Sequence, residues 1–209
     1  MIRILIADDH SVVREGLKRI IGSVRDMKVA GEAENAGEVF ERIRTAGCDV
    51  VILDISMLGG DGLDVLKTLK EENPGVPVLI FSVHSEEKFA VPALRAGADG
   101  YLTKDCPPGN ILTAIRRVHG GGKYISPSVA ERLAVELRHG PENPHETLSC
   151  RELQVMSLIG RGLTVTAVAR ELSISVKTVS TYRSRILEKL QLKSSAEIIF
   201  YAIRNELVF

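Results

Sequence analysis

Residues 50–54, Val50-Val51-Ile52-Leu53-Asp54, decide the fold. Four apolar residues, mostly β-branched, run without a polar interruption and close on a carboxylate, the pattern of a strand covered on both faces. The segment MIRILIADD at 1–9 repeats it, with the apolar run 2–7 ending on Asp8-Asp9. Working outward, further short runs occupy 28–33, 78–82 and 100–103, and between the runs lie amphipathic patterns near 12–24, 37–46, 63–72, 88–96 and 110–119. Strands alternating with helices in this way imply an α/β fold: a doubly wound, five-stranded parallel sheet with helices on both faces. Polar residues that close such strands line the ligand-binding edge.

The glycines at 120–122 end the last of these helices. A short helical pattern at 127–137 follows, with Ser126 as its N-cap and Pro127 at its first position. After it HGPENPHE, at 139–146, has two prolines, a glycine and almost no apolar content, which marks a flexible hinge. From Thr147 onward the periodicity is purely helical. Ser149 with Glu152 forms a capping box, Gly162 ends a helix, Thr164 and Ser175 open the next two, and Ser194 with Glu197 opens the last. Three parts are expected: an α/β domain at 1–122, a linker helix and hinge at 123–146, and a small all-α domain at 147–209.

The formal net charge of zero conceals an asymmetry, since residues 148–209 carry 9 Lys and Arg against 5 Asp and Glu, and the preceding residues are acidic in excess. A basic module behind an acidic carrier suits a polyanion partner. Cys48, Cys106 and Cys150 are odd in number and widely spaced, which supports neither a disulfide framework nor a zinc site and fits a reducing cytoplasm. No run approaches 18 apolar residues, and the N-terminus reads straight into a strand, so neither a membrane span nor a signal peptide is expected.

If the runs are neighbouring strands, Asp8, Asp9 and Asp54 meet Lys104 of GYLTKD at one sheet edge. Consecutive aspartates on a strand face opposite sides, so the chain must be leaving the sheet for both to reach one site. Mutual repulsion among three carboxylates calls for a cation. Mg²⁺ suits them because it takes hard oxygens and shares its sphere with water and phosphate. On this reading Asp9, Asp54 and the Ser56 carbonyl are direct ligands, and Asp8 acts in the outer shell or through water. Asp54 is then a nucleophile for a phosphoryl group, with Lys104 neutralising phosphoryl oxygens and Ser82 hydrogen-bonding one of them. Taken singly, each of these residues also fits a solvated strand end or a helix cap; four at four strand ends, in the order one site needs, favour the site.

The segments ADDH, VVILDISMLGGDGLDVL, FSVH and GYLTKD resemble the receiver domain of two-component response regulators. LSCRELQVMSLIGRGLTVTAVARELSISVKTVSTYRSRILEKLQL resembles the LuxR-type helix-turn-helix of the NarL/FixJ subfamily. The resemblance implies a flavodoxin-like receiver, phosphotransfer from a sensor histidine kinase to Asp54, and phosphorylation-dependent binding of double-stranded DNA. It also implies that Ser82 and Tyr101 are a switch pair, the ring turning inward behind the hydroxyl, and that Ser56 and His84 influence acylphosphate lifetime. Two positions depart from the pattern. Leu58 stands where the family usually has proline, which predicts a more mobile loop. Pro92 falls inside the fourth helix, which predicts a late start near Val91, a kink, or an irregular segment at 86–91.

In the basic module the reading helix opens at Ser175 after a turn at Ser173-Ile174. Val179, Ile186 and Leu190 make its apolar stripe. Ser180, Thr181 and Ser184 fall away from that stripe with Lys177 near the leading end, so these face the groove, and Thr178, Tyr182, Arg183 and Arg185 are assigned to phosphates. Family members often have histidine where Tyr182 stands. A single helix-turn-helix reads few base pairs, which calls for a homodimer when phosphorylated or DNA-bound; the resemblance places self-association partly on 195–205, where Ile198, Ile199, Tyr201 and Ala202 exceed the apolar content a solvated helix needs, although the same residues also suit closure of the small core. Two other readings stay open here: a Mg²⁺-dependent phosphatase using Asp54 as transient nucleophile, and a DNA-binding protein whose receiver is a constitutive or ligand-sensing scaffold.

Overall fold

A computed structural model describes residues 1–57, 62–139 and 143–208. By contacts the chain forms two compact units, Met1–Ala134 and Val135–Phe209.

In the first unit five parallel strands, β1 (Ile2–Ala7), β2 (Met27–Ala33), β3 (Val50–Leu53), β4 (Val78–Ser82) and β5 (Gly100–Thr103), lie in the order β2-β1-β3-β4-β5. The order reverses between β1 and β3, and an open parallel sheet binds its ligand beyond the carboxyl ends at such a point. The crossover helices are α1 (Ser11–Gly22), α2 (Ala36–Ala46), α3 (Gly62–Glu72), α4 (Glu86–Arg95) and α5 (Pro108–His119). Alternation along the strands supplies two apolar faces. Ile4, Ile6, Val50, Ile52, Leu79, Phe81 and Leu102 share one core with Leu17 and Ile21 of α1 and Ile111, Ala114, Ile115 and Val118 of α5. The intervening Leu5, Val51, Leu53 and Ile80 are equally buried, as are Val39 of α2, Leu66 and Leu69 of α3, and Phe89 and Ala90 of α4.

Three strands match the apolar runs residue for residue. β2 gains Met27, β3 stops one residue before Asp54, and a register shift between Ile4 and Leu5 marks a bulge on β2. The expected late start near Val91 and the irregular segment at 86–91 are overturned: α4 is continuous from Glu86 to Arg95 with Pro92 inside it. The ring removes only one backbone donor, the Ala96 N–H that closes the helix donates to the Pro92 carbonyl, and Phe89, Ala90, Val91 and Ala93 are all buried. Burial of that face offsets one missing bond. The Leu58 loop lies outside the described residues.

Beyond α5 the chain returns along the outer edge of β5. Tyr124 forms a parallel bridge with Gly100, receiving the Tyr101 N–H on its carbonyl at 3.1 Å and donating to the Asp99 carbonyl at 2.9 Å. Helix α6 (Pro127–His139) follows, its start held by the Ser126 side chain, which accepts from Val129 N, and by Glu86 of α4, which accepts from Ser126 N. Of the expected hinge, residues 140–142 lie outside the described residues, and Pro144–Thr147 form a single helical turn.

The second unit is helical, with α7 (Cys150–Gly160), α8 (Val165–Glu171), α9 (Val176–Lys189) and α10 (Ser195–Arg204). Ser149, Thr164, Ser175 and Ser194 each accept from the backbone N–H three residues on, and the Ser149–Glu152 box is reciprocal. Ser173 turns the chain between α8 and α9 at φ 52°. Among the described residues no helix is long and apolar enough to cross a membrane.

A Cβ at Gly100 would meet the Tyr124 carbonyl and Leu79 Cδ1, both at 2.8 Å. Gly100→Ala is therefore expected to lever residue 124 off β5, costing about 1–3 kcal/mol. Amide exchange at Tyr101 and Tyr124 should accelerate together, while the amides of β1 and β3 stay protected.

Candidate functional site

The carboxyl ends of β1, β3, β4 and β5 converge as the strand order requires. Asp54 is held by a bond from its own N–H to the Ala7 carbonyl, 2.8 Å, which places it beside the end of β1. Ligand atoms of Asp8, Asp9, His10 and Asp54 all lie within 4.8 Å of one another. A cluster of that spread is of a size to hold one small cation such as Mg²⁺. Asp8 and Asp54 are almost fully buried, and hard oxygen donors are what such a cation takes.

Lys104, just past β5, donates to Asp54 Oδ2 at 2.8 Å and stands 2.7 Å from Asp8 Oδ2. The Ser56 N–H donates to Asp54 Oδ1 at 2.9 Å. Burial pushes the Asp54 carboxyl above its ordinary range against the pull of Lys104 and Ser56, and Asp8 adds to the rise. Burial also works to discharge the Lys104 ammonium, yet Asp54 and Asp8 together hold it above the ordinary lysine range. The site is thus an ammonium shared by two carboxylates in a low-dielectric niche, with a third carboxylate alongside.

Ser82 ends β4 completely buried; the His84 N–H donates to its hydroxyl at 3.2 Å, and the Lys104 N–H donates to its carbonyl at 2.7 Å. Tyr101 is 1% exposed with its ring inward, and its hydroxyl donates to the His84 carbonyl at 3.0 Å. Ser56 Oγ is 3.4 Å from His84 Nε2, and the His84 imidazole stacks on Phe89 of α4 at 4.5 Å between centroids. Asp54, Ser56, Ser82, His84 and Tyr101 therefore form one contact chain from the carboxylates to α4.

Arg14 belongs to this region as well and was not singled out by the sequence reading. It lies on the buried face of α1 with Leu17 and Ile21, and donates to the Asp8 carbonyl. A legible signal existed: at 14, 17 and 21 it occupies an apolar-face position of an amphipathic helix.

In α9, Val179, Ile186 and Leu190 are buried as expected, and Lys177, Thr181, Ser184 and Arg185 are exposed, with Thr178, Ser180 and Tyr182 half-buried. Ser180, Thr181 and Ser184 each donate to the carbonyl four residues back, which leaves their oxygen lone pairs outward. Thr178 is tied to the Ser175 cap. Arg183 donates to Ser195 Oγ at 2.8 Å, joining α9 to α10. In α10, Ile198 and Ala202 close the small core and Ile199 and Tyr201 are half-buried, whereas Phe200 and Ile203, at 68% and 61% exposed, are apolar residues the helix presents to solvent.

The response regulator receiver domain family matches residues 4–116, and the bacterial regulatory proteins of the luxR family match 146–202. Response regulator UvrY of Escherichia coli is 36% identical over 209 residues, covering 99% of this chain and 96% of its own length. Response regulator GacA of Pseudomonas viridiflava is 37% identical over 210 residues, covering 100% and 98%. The crystal structure of response regulator ChrA, from a heme-sensing two-component system, is 34% identical over 99% of this chain and 98% of its own, with a TM-score of 0.53. A structure of two RcsB dimers bound to two parallel DNAs is 25% identical, covers 96% of each chain and has a TM-score of 0.60.

Because burial and the Asp8 charge disfavour ionised Asp54, Asp54→Asn is expected to raise the thermal midpoint of the metal-free protein at pH 7. A carboxyl with a raised folded pKa loses stability as pH rises from the ordinary carboxylate range through that value. The advantage of Asp54→Asn in thermal midpoint should therefore vanish on acidification below that range.

Proposed function

The chain belongs to the response regulators with a receiver domain and a LuxR-type DNA-binding domain, and on that premise we propose how its own residues carry the switch. It is a two-component transcriptional response regulator. The receiver spans 1–122, the linker 123–146 and the DNA-binding domain 147–209; the receiver-family match at 4–116 lies inside the first, and the luxR-family match at 146–202 begins one residue before the last.

Asp54 is the phosphoacceptor. An Oδ of Asp54 attacks the phosphorus carried by the histidine of a sensor kinase; the P–O bond forms as the P–N bond breaks, and the histidine nitrogen leaves with the electron pair and takes a proton. Asp9, Asp54 and the Ser56 carbonyl would hold Mg²⁺, with Asp8 in the outer shell or acting through water, and the ion would supply positive charge to offset that on the carboxylates and the transferring group. Lys104 is the second source of positive charge, and its contact with Asp54 supports a role on the phosphoryl oxygens. Ser82 donates its hydroxyl to the new phosphoryl group, and Tyr101 occupies the inward position behind it, its hydroxyl on the His84 carbonyl. Since His84 contacts both Ser56 and α4, a change at Asp54 reaches α4 without leaving bonded neighbours.

The output is binding of double-stranded DNA as a homodimer. Lys177, Ser180, Thr181 and Ser184 face the major groove, with Thr178, Tyr182, Arg183 and Arg185 on phosphates; of the last two, Arg185 is the exposed one. The DNA-bound dimers of the RcsB relative support the stoichiometry. The protein works in the cytoplasm and is not a turnover enzyme. The single observation that carries this reading is Lys104 bonded to Asp54 beside the Asp8–Asp9 carboxylates.

Incubation with acetyl phosphate and Mg²⁺ should add the mass of one phosphoryl group, lost in Asp54→Ala; an unmodified wild-type protein would sink the assignment, and steady hydrolysis of a phosphomonoester would favour a phosphatase. In DNA titrations Arg185→Ala should weaken binding across sequences and reduce the salt slope by about 1, whereas Thr181→Ala should alter sequence preference and leave the slope unchanged.

A further inference from the structure

Two adjacent aspartates ending a strand would ordinarily diverge, yet Asp8 and Asp9 reach the same cluster as Asp54. The diversion occurs beneath Arg14. This residue is 7% exposed on the buried side of α1, where a guanidinium is costly unless its donors are used. Its Nη1 donates to the Asp8 carbonyl at 2.8 Å, Nε to Glu32 Oε2 at 3.1 Å, and Nη2 to Glu34 Oε1. The Asp8 N–H still pairs with the Ala33 carbonyl of β2, at 3.1 Å. Its carbonyl has turned to α1 instead of continuing the ladder, and Asp8 Oδ1 accepts from His10 N–H at 2.8 Å to complete the turn.

We propose that Arg14 is a positioning residue for the cation site. Anchored by Glu32 and Glu34, its planar fork fixes the Asp8 carbonyl, and therefore the peptide plane joining Asp8 to Asp9 and the direction in which the Asp9 carboxylate leaves the chain. The inference rests on the acidic cluster being the Mg²⁺ site. Charge and position predict opposite signs here. A guanidinium this close repels a divalent cation, so deleting it would tighten Mg²⁺ binding if Coulomb interaction were its main effect. Loss of the positioning bond weakens binding instead. Lysine keeps the charge but has no planar fork with which to span three acceptors.

Calorimetric titration of the full chain with Mg²⁺ decides between them; the sequence has no tryptophan to report binding by fluorescence. Arg14→Lys and Arg14→Met should each bind Mg²⁺ about 10-fold more weakly than wild type. In the acetyl phosphate reaction, the Mg²⁺ concentration giving half the maximal rate should rise by the same factor, with the rate at saturating Mg²⁺ near that of wild type. A merely structural arginine would lower the thermal midpoint and leave that concentration where it was. Unchanged or tighter Mg²⁺ binding in the variants overturns the proposal. A wild-type protein that binds no Mg²⁺ overturns the site reading and this inference with it, whereas wild-type binding with indifferent variants removes this inference alone. If Arg14→Met shows no native circular dichroism, Arg14→Lys, which retains stem and charge, carries the test by itself.

Discussion

Like charges held close together in a poorly hydrated niche are the constraint around which the receiver is arranged. Asp8 and Asp54 are buried beside one another, and the ammonium of Lys104 reaches both. Neither carboxylate could be carried there by a strand alone; the reversal of strand order between β1 and β3 brings them together, and β5 delivers the lysine from two strands away. One positive charge against three carboxylates leaves the niche net negative. That imbalance is a store of affinity for a cation, kept at some cost to the stability of the empty fold.

The elements were legible wherever burial on two faces left no room for polar residues. The runs at 2–7, 78–82 and 100–103 became strands without adjustment, because in a parallel sheet covered on both sides hydrophobicity alone marks the strand. The caps at Ser149, Thr164, Ser175 and Ser194 were legible for another local reason, the bond from a hydroxyl to the N–H three residues on. Pro92 was misjudged because its penalty is local while the compensation is tertiary: Phe89, Ala90 and Ala93 bury the helix that the ring would otherwise disrupt.

The site was legible in its carboxylates and lysine and illegible in its supports. Strand-end position announces Asp8, Asp9, Asp54 and Lys104. Nothing in the chain spacing announces that Arg14 will find Glu32 and Glu34, since these partners come from a different strand and its following loop. The same holds for Glu152 and Lys189, which lie 37 residues apart and meet only when α7 packs on α9. In α10 a nearly continuous apolar run, Ile198, Ile199, Phe200, Tyr201, Ala202 and Ile203, does not announce which of its residues are buried; packing buries Ile198 and Ala202 and leaves Phe200 and Ile203 outside.

The return of the chain along β5 bears on how copies of this protein can meet. A terminal strand normally offers a row of backbone groups to any passing strand. On β5 the Tyr101 N–H and the Asp99 carbonyl are spent on Tyr124, and the Thr103 carbonyl accepts from Cys106. That stretch of the border is occupied from within, so these groups are withheld from a second copy's main chain. Side chains there can be re-aimed by a small rotation, which a ladder of backbone bonds does not allow.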